Sequence, residues 1–310
     1  MNREQSELRS VGFFGIYKEA YKITVSRKKL FSQITLVLVL PLSILYLSQI
    51  QISNFIQTKT YRHHETSRWI AYGITEAIYI IFLFIFSLLS TSVVSYTIAC
   101  IYTSKEIMTF KKVISVVPRL CMRLMVTFLW CFFILTVHTG VALGLLIWFT
   151  IKMFGPEGEG ANKVLIFIIC LSIPYFIGLV FINVVWHLAS VISVLEKNYG
   201  RKALKKSIKL IKGKILVSCA IFTMLEICFS GILATFSVLV VYGYIIGTVG
   251  RVGVGILCYL LLTIYFHFAL IIQTVVYFVC KSYHQEDFNK FDKHLEISFV
   301  PLSREKDIPL

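Results

Sequence analysis

Six apolar runs, each long enough to cross a lipid bilayer, constrain this chain more than any other feature. They extend from about Leu30 to Ile50, Ile70 to Ile101, Met122 to Ile151, Val164 to Leu195, Ile215 to Tyr242 and Val254 to Cys280. A helical crossing needs about 18 or more apolar residues, and backbone groups in hydrocarbon must hydrogen-bond within the segment. The runs therefore predict an all-α fold, a polytopic membrane helical bundle with six transmembrane helices. Of the 310 residues, 57% are hydrophobic and 15% charged, well below the roughly 25% charge of soluble domains. The expected organisation is an N-terminal segment over 1–29, a membrane domain over 30–280 and a polar tail over 281–310. Residues 1–29 have no cleavable apolar core, so the first span is expected to act as its own insertion signal.

The net charge of +15 is spread in a way that sets orientation. Lys and Arg number 7 before span one, 5 between spans two and three when Arg123 in the first turn of span three is counted, 8 between spans four and five and 5 in the tail, against 3, 2 and 1 in the alternate loops. A bias of 25 to 6 places both termini in the cytoplasm by the positive-inside rule. It also argues against a nucleic-acid partner, because the basic residues gather at span ends instead of on one soluble domain. The expected location is multi-pass, in an endomembrane or the plasma membrane.

The densest positive charge lies in Tyr199 to Lys214, Y-G-R-K-A-L-K-K-S-I-K-L-I-K-G-K. On a helix Ala203, Leu204, Ser207, Ile208 and Ile211 share one face, and Lys202, Lys205, Lys206, Lys209 and Lys212 the other. Such a helix fits the headgroup plane, its lysines against anionic lipid of the cytoplasmic leaflet; the simpler alternative is that the lysines only set topology. Two further segments follow the same plan. Ile16, Tyr17, Ala20, Tyr21 and Thr24 lie opposite Lys18, Glu19 and Lys22. Phe110, Val113, Ile114 and Val117 lie opposite Lys105, Lys111 and Lys112, with Pro118 expected to close that helix. Ile107 to Ser115 and Arg201 to Lys209 align on their Lys-Lys pairs, which suggests a parallel repeat of one amphipathic helix and two spans.

Val191 to Lys214, V-I-S-V-L-E-K-N-Y-G-R-K-A-L-K-K-S-I-K-L-I-K-G-K, resembles the hallmark of a plant family of uncharacterised six-span membrane proteins. Val117 to Trp130 and Lys29 to Ser43 are similar to its other recurring segments. More remotely, the chain is similar to bacterial six-helix membrane proteins and to the membrane domain attached to some glycerophosphodiester phosphodiesterases. The resemblance implies a six-span fold. It carries over no catalytic residues, because no phosphodiesterase domain is present.

The polar groups inside the runs are few. Glu226 falls about 12 residues, or about 18 Å, from the lysine-rich end of span five. His267, Asn183, His187 and His138 fall at comparable depths in spans six, four, four and three. An ionisable group at that depth costs a few kcal/mol or more unless it is paired, so these five are expected to face the bundle interior. They form either a set of interhelical hydrogen bonds or a site for protons or a polar substrate.

Other chemistry is sparse. No phosphate-binding loop, zinc-protease motif or nucleophile elbow occurs. The adjacent His63 and His64 read as loop residues more readily than as metal ligands. The eight cysteines form no CxxC pair and read as packing residues, with Cys121 and Cys280 at membrane borders as palmitoylation candidates. No cofactor and no metal is expected. These features point to a non-enzymatic membrane protein that organises lipid or partner proteins at the cytoplasmic leaflet, or to a transporter or channel using the Glu, His and Asn groups.

Overall fold

The computed structural model describes residues 11–63, 66–102, 110–153, 160–243 and 246–285, with side chains described outside 57–63, 66–69, 71, 110–116, 153 and 160–163. Among these residues every regular element is helical. Six helices are long and apolar enough to cross a membrane: Lys28–Ile56, Tyr72–Tyr102, Val117–Lys152, Val164–Leu195, Ile215–Tyr242 and Thr248–Tyr283. These are spans one to six. Two shorter helices accompany them, an N-terminal helix Phe13–Ser26 and a basic helix Arg201–Ile211.

Spans of this length are the reason the short helices lie where they do. The 32 residues of span four measure about 48 Å at 1.5 Å per residue, against a hydrocarbon core of about 30 Å. The surplus forms a packed core at the lysine-rich end. There residues 90–100 of span two, 188–195 of span four and 271–282 of span six are buried without a break. The N-terminal helix covers this core with Ile16, Ala20 and Ile23, packing on spans five and six. The basic helix covers it with Ala203, Leu204, Ser207, Leu210 and Ile211, packing mainly on span four.

This differs from a helix floating in the headgroup plane, because both apolar faces rest on protein. Each Leu or Ile so buried contributes about 1.5–3 kcal/mol relative to exposure. Leu210 belongs to the buried face and Ile208 is exposed, the reverse of the sequence expectation. The helix is rotated toward Leu210 by the span it lies against.

Three other expectations change. Helix Phe110–Met153 passes through Pro118 without ending, so Lys111 and Lys112 extend span three instead of forming a separate helix. Pro118 is exposed, where its ring needs no room in the core and the lost N–H bond is the main cost. The side chains of Lys111 and Lys112, and residues 103–109 with Lys105, lie outside the described residues, as does much of the segment aligned with Arg201 to Lys209. Span six begins earlier than Val254, its helix Thr248–Tyr283 taking in Gly250 and Gly253. The same helix carries Lys281 and runs to Tyr283, beyond the expected start of the tail.

Two wide π-helical turns interrupt spans one and five, Thr35–Val39 and Ser237–Tyr242. The first ends just before Pro41, which cannot donate a backbone hydrogen bond, and a widened turn is one way a helix absorbs that loss. Small hydroxyls then stitch the spans: Ser43 to Thr263 at 2.6 Å, Ser95 to Thr274 at 3.1 Å and Thr127 to Ser193 at 2.6 Å. Such interhelical bonds contribute about 0.6 kcal/mol each in a membrane bundle. Away from the basic end, spans three and four stack Phe149 on Phe167 at 3.8 Å, and Gln49 of span one donates to Glu76 of span two at 3.1 Å.

Candidate functional site

Helical spacing places Asn183 and His187 one turn apart on span four, and Phe222 and Glu226 one turn apart on span five. The two turns meet. Asn183 Nδ2 donates to Glu226 Oε1 at 3.1 Å, and the His187 ring stacks on Phe222 at 4.5 Å with 3° between planes. Span six supplies Gln273, whose Oε1 lies 2.9 Å from His187 Nδ1. An imidazole N–H donating to an amide oxygen explains that contact and leaves the proton on Nδ1.

These groups line a cavity of about 300 Å³. Asn183, His187, Glu226 and Gln273 form its polar wall, and Tyr46, Phe229, Tyr265 and Phe266 its aromatic wall. The rings brace each other, with Tyr46 on Phe229 at 5.3 Å and Phe229 on Tyr265 at 5.4 Å. One polar atom of the wall is unspent. Gln273 is 4% exposed, and its Nε2 has no hydrogen-bond partner among the described residues. A buried amide in that condition costs about 1–3 kcal/mol unless a water or ligand answers it.

A second cavity of about 450 Å³ adjoins the first and shares Leu42, Tyr46, Ser87, Phe128, Trp186 and Phe266 with it. Its remaining lining is apolar: Ile80, Leu83 and Phe84 of span two, Leu129 and Phe132 of span three. Ile80, Leu129 and Phe132 are exposed on the bundle surface, so this chamber faces the lipid side between spans two and three.

The five sequence candidates therefore separate. Asn183, His187 and Glu226 come together at the cavity, but Glu226 is exposed instead of facing the bundle interior as expected, while Asn183 and His187 are half-buried. His267 does not: its Nδ1 is 2.8 Å from Thr35 Oγ1 on span one, against the edge of Phe31. Thr35 already donates its one hydroxyl proton to Phe31 O at 2.8 Å, so His267 is the donor in that pair. His138 stacks on Tyr175 at 5.2 Å, with Nε2 3.3 Å from Tyr175 O, and pins span three to span four. Both residues hold helices in register, away from the cavity.

Gln273 is the member that a search for ionisable groups passes over. Its sequence signal is an amide inside the otherwise apolar run Leu270-Ile271-Ile272-Gln273. Glu196 is missed for another reason, since its place at the end of span four reads as a loop charge. It proves to be the hub of a polar cluster, accepting from Tyr277 at 2.7 Å and pairing with Lys206 at 2.8 Å and Lys281 at 3.9 Å. Lys206 is thereby turned inward, whereas Lys202, Lys205, Lys209 and Lys212 are exposed. Among the described residues, no group of three His, Cys, Asp or Glu is placed to hold a metal ion.

No curated protein and no solved structure matches the chain. One family model does, a domain of unknown function, over residues 1–310. By that match along its whole length the chain, an integral membrane protein with six candidate spans, belongs to the DUF8558 family.

Proposed function

We propose that this protein is a non-enzymatic membrane protein that receives a cationic ligand inside the bilayer, in the manner of a transporter or channel. The observation that carries it is the cavity beside the Asn183 and Glu226 pair. A carboxylate at this depth has one hydrogen-bonding amide beside it and aromatic faces opposite. An ammonium group answers both, by charge and by cation–π attraction of about 0.5–1 kcal/mol at an exposed site. The test is binding of [14C]hexylamine and of hexanoate to the purified chain in nanodiscs. Hexylamine should bind, hexanoate should not, and Glu226→Gln should remove the binding without lowering the unfolding temperature. Equal binding of hexanoate, or binding that survives Glu226→Gln, overturns the proposal.

A second reading draws on the basic helix. With its apolar face occupied by protein, its outward surface consists of Lys202, Lys205, Lys209 and Lys212. These four form a patch suited to anionic headgroups of a cytoplasmic leaflet, and the charge bias of the loops supports that side for both termini. Preferential retention of phosphatidylserine over phosphatidylcholine on the purified chain would support it; equal retention would remove it.

A further inference from the structure

The two cavities differ in chemistry and share a wall. The first has a single, exposed carboxylate, amides and ring faces; the adjoining one is apolar and faces lipid between spans two and three. A small hydrophilic cation would fill the first and leave the second without purpose. Their volumes, about 300 and 450 Å³, each lie within the range of about 300–1,000 Å³ usual for small-molecule sites. No Lys or Arg lines either cavity, so a phosphate-bearing headgroup would meet Glu226 with nothing to offset its charge.

The unspent atom of Gln273 narrows the headgroup further. The amide makes one bond, to His187, and whichever way it is turned its other end is buried without a partner among the described residues. That end has essentially no accessible surface, so a ligand hydroxyl reaches it as the amide turns toward the cavity; a hydroxyl both donates and accepts, and so satisfies either atom of the amide. Glu226 and Gln273 are linked by adjacent turns of span four, Asn183 binding the first and His187 the second. Residues 183 and 187 differ by about 6 Å in rise along the helix, so the two groups are held at neighbouring heights of span four, where an amine and a neighbouring hydroxyl can engage one each.

We propose that the joined cavity binds a single-chain amphiphile with an amino-alcohol headgroup: the ammonium on Glu226, the hydroxyl on the Gln273 amide, and the chain leaving between spans two and three. This rests on the cationic-ligand reading of the same site and adds the class of molecule. Entry is lateral, from the bilayer, past Leu83, Leu129 and Phe132.

The experiment uses the full chain in nanodiscs and a photoreactive sphinganine carrying a diazirine in its chain, with crosslinks mapped by peptide mass spectrometry. Crosslinks should fall on spans two and three near Leu83, Leu129 and Phe132. Unlabelled sphinganine should compete, and octadecylamine, which lacks the hydroxyls, about fivefold less well, the worth of one neutral hydrogen bond. Octadecanol and octadecanoic acid should compete at least about tenfold less well, having no cation for Glu226. Leu83→Trp, which fills the apolar chamber, should lower sphinganine crosslinking more than it lowers hexylamine binding, and unchanged sphinganine crosslinking in that variant overturns the proposal.

Crosslinking that octadecanol competes as well as sphinganine, or that scatters over all six spans, overturns the proposal. If hexylamine binds at Glu226 but sphinganine does not, the amphiphile is wrong and the cationic site stands. If neither binds, both fall together.

Discussion

Lys206 holds Glu196 at 2.8 Å, and the same carboxylate lies 3.9 Å from the ammonium of Lys281, whose side chain is only 5% exposed. Lys281 is also 3.4 Å from Tyr277 Oη, which itself donates to Glu196. One carboxylate at the end of span four thus neutralises a cation on the basic helix and a buried cation on span six. Removing it takes one carboxylate away from Lys281, a cation whose side chain is almost wholly buried. Glu196→Ala should therefore destabilise the protein by about 3–5 kcal/mol, the usual cost of breaking a buried pair from one side. Lys281→Met in the Glu196→Ala background should recover part of the loss, because it removes a buried charge that has lost this carboxylate. Thermal unfolding of the two variants in detergent checks both statements.

Gly200 begins the basic helix with φ 59° and ψ −131°, a conformation that side chains rarely adopt. Its N–H donates to Thr127 Oγ1 at 2.8 Å, which docks the turn on span three. A Cβ there would stand 3.2 Å from Val126 and 3.3 Å from Trp130. Gly200→Ala should cost about 1–3 kcal/mol in backbone strain alone. It should also lift the basic helix from its seat. Limited trypsin digestion, which cuts after the lysines of that helix, should become faster than in the unaltered chain at the same temperature.

The spans were readable because hydrocarbon makes strict demands of length and composition. The use of the space between them was not. Asn183, His187 and Glu226 could be grouped from depth alone, since depth follows from counting residues along a helix. Depth says nothing of azimuth, however, and His267 and His138 at similar depths point to span one and span four. Gln273 and Glu196 show the converse limit. An uncharged amide carries little weight in hydropathy, and a charge at the end of a span reads as solvated until a lysine 85 residues later in the chain, Lys281, is found beside it. The surroundings of the basic helix were likewise not legible. Its two faces were evident, but which material covers the apolar one depends on spans longer than the bilayer.

His138 rests on Gly178, where a Cβ would lie 2.5 Å from the imidazole Cε1. Gly178→Ala should push the ring off Tyr175 and cost about 1–3 kcal/mol by overpacking. His138→Ala should relieve the clash in the double variant. Because neither residue lines the Asn183 and Glu226 cavity, ligand binding measured below the unfolding temperature should be unchanged in both variants. A loss of binding at full stability would mean that the outer halves of spans three and four control the cavity.

The lysines of the basic helix separate by what they touch. Lys202, Lys205, Lys209 and Lys212 are exposed, while Lys206 is 24% exposed and bonded to Glu196. Basic residues near an anionic surface contribute about 1 kcal/mol each, and salt screens the effect within about 10 Å. Replacing the four exposed lysines by glutamine should reduce retention of phosphatidylserine over phosphatidylcholine, and added salt should reduce it in the unaltered chain as well. The unfolding temperature should stay within error, since none of the four is used in the fold. Lys206→Gln should do the opposite, lowering the unfolding temperature and changing lipid retention little. Native mass spectrometry of co-purified lipid, paired with a thermal scan of each variant, makes the comparison. If all five lysines behave alike in both measurements, Lys206 has no special place in the fold and the division between a structural lysine and a lipid-facing set fails.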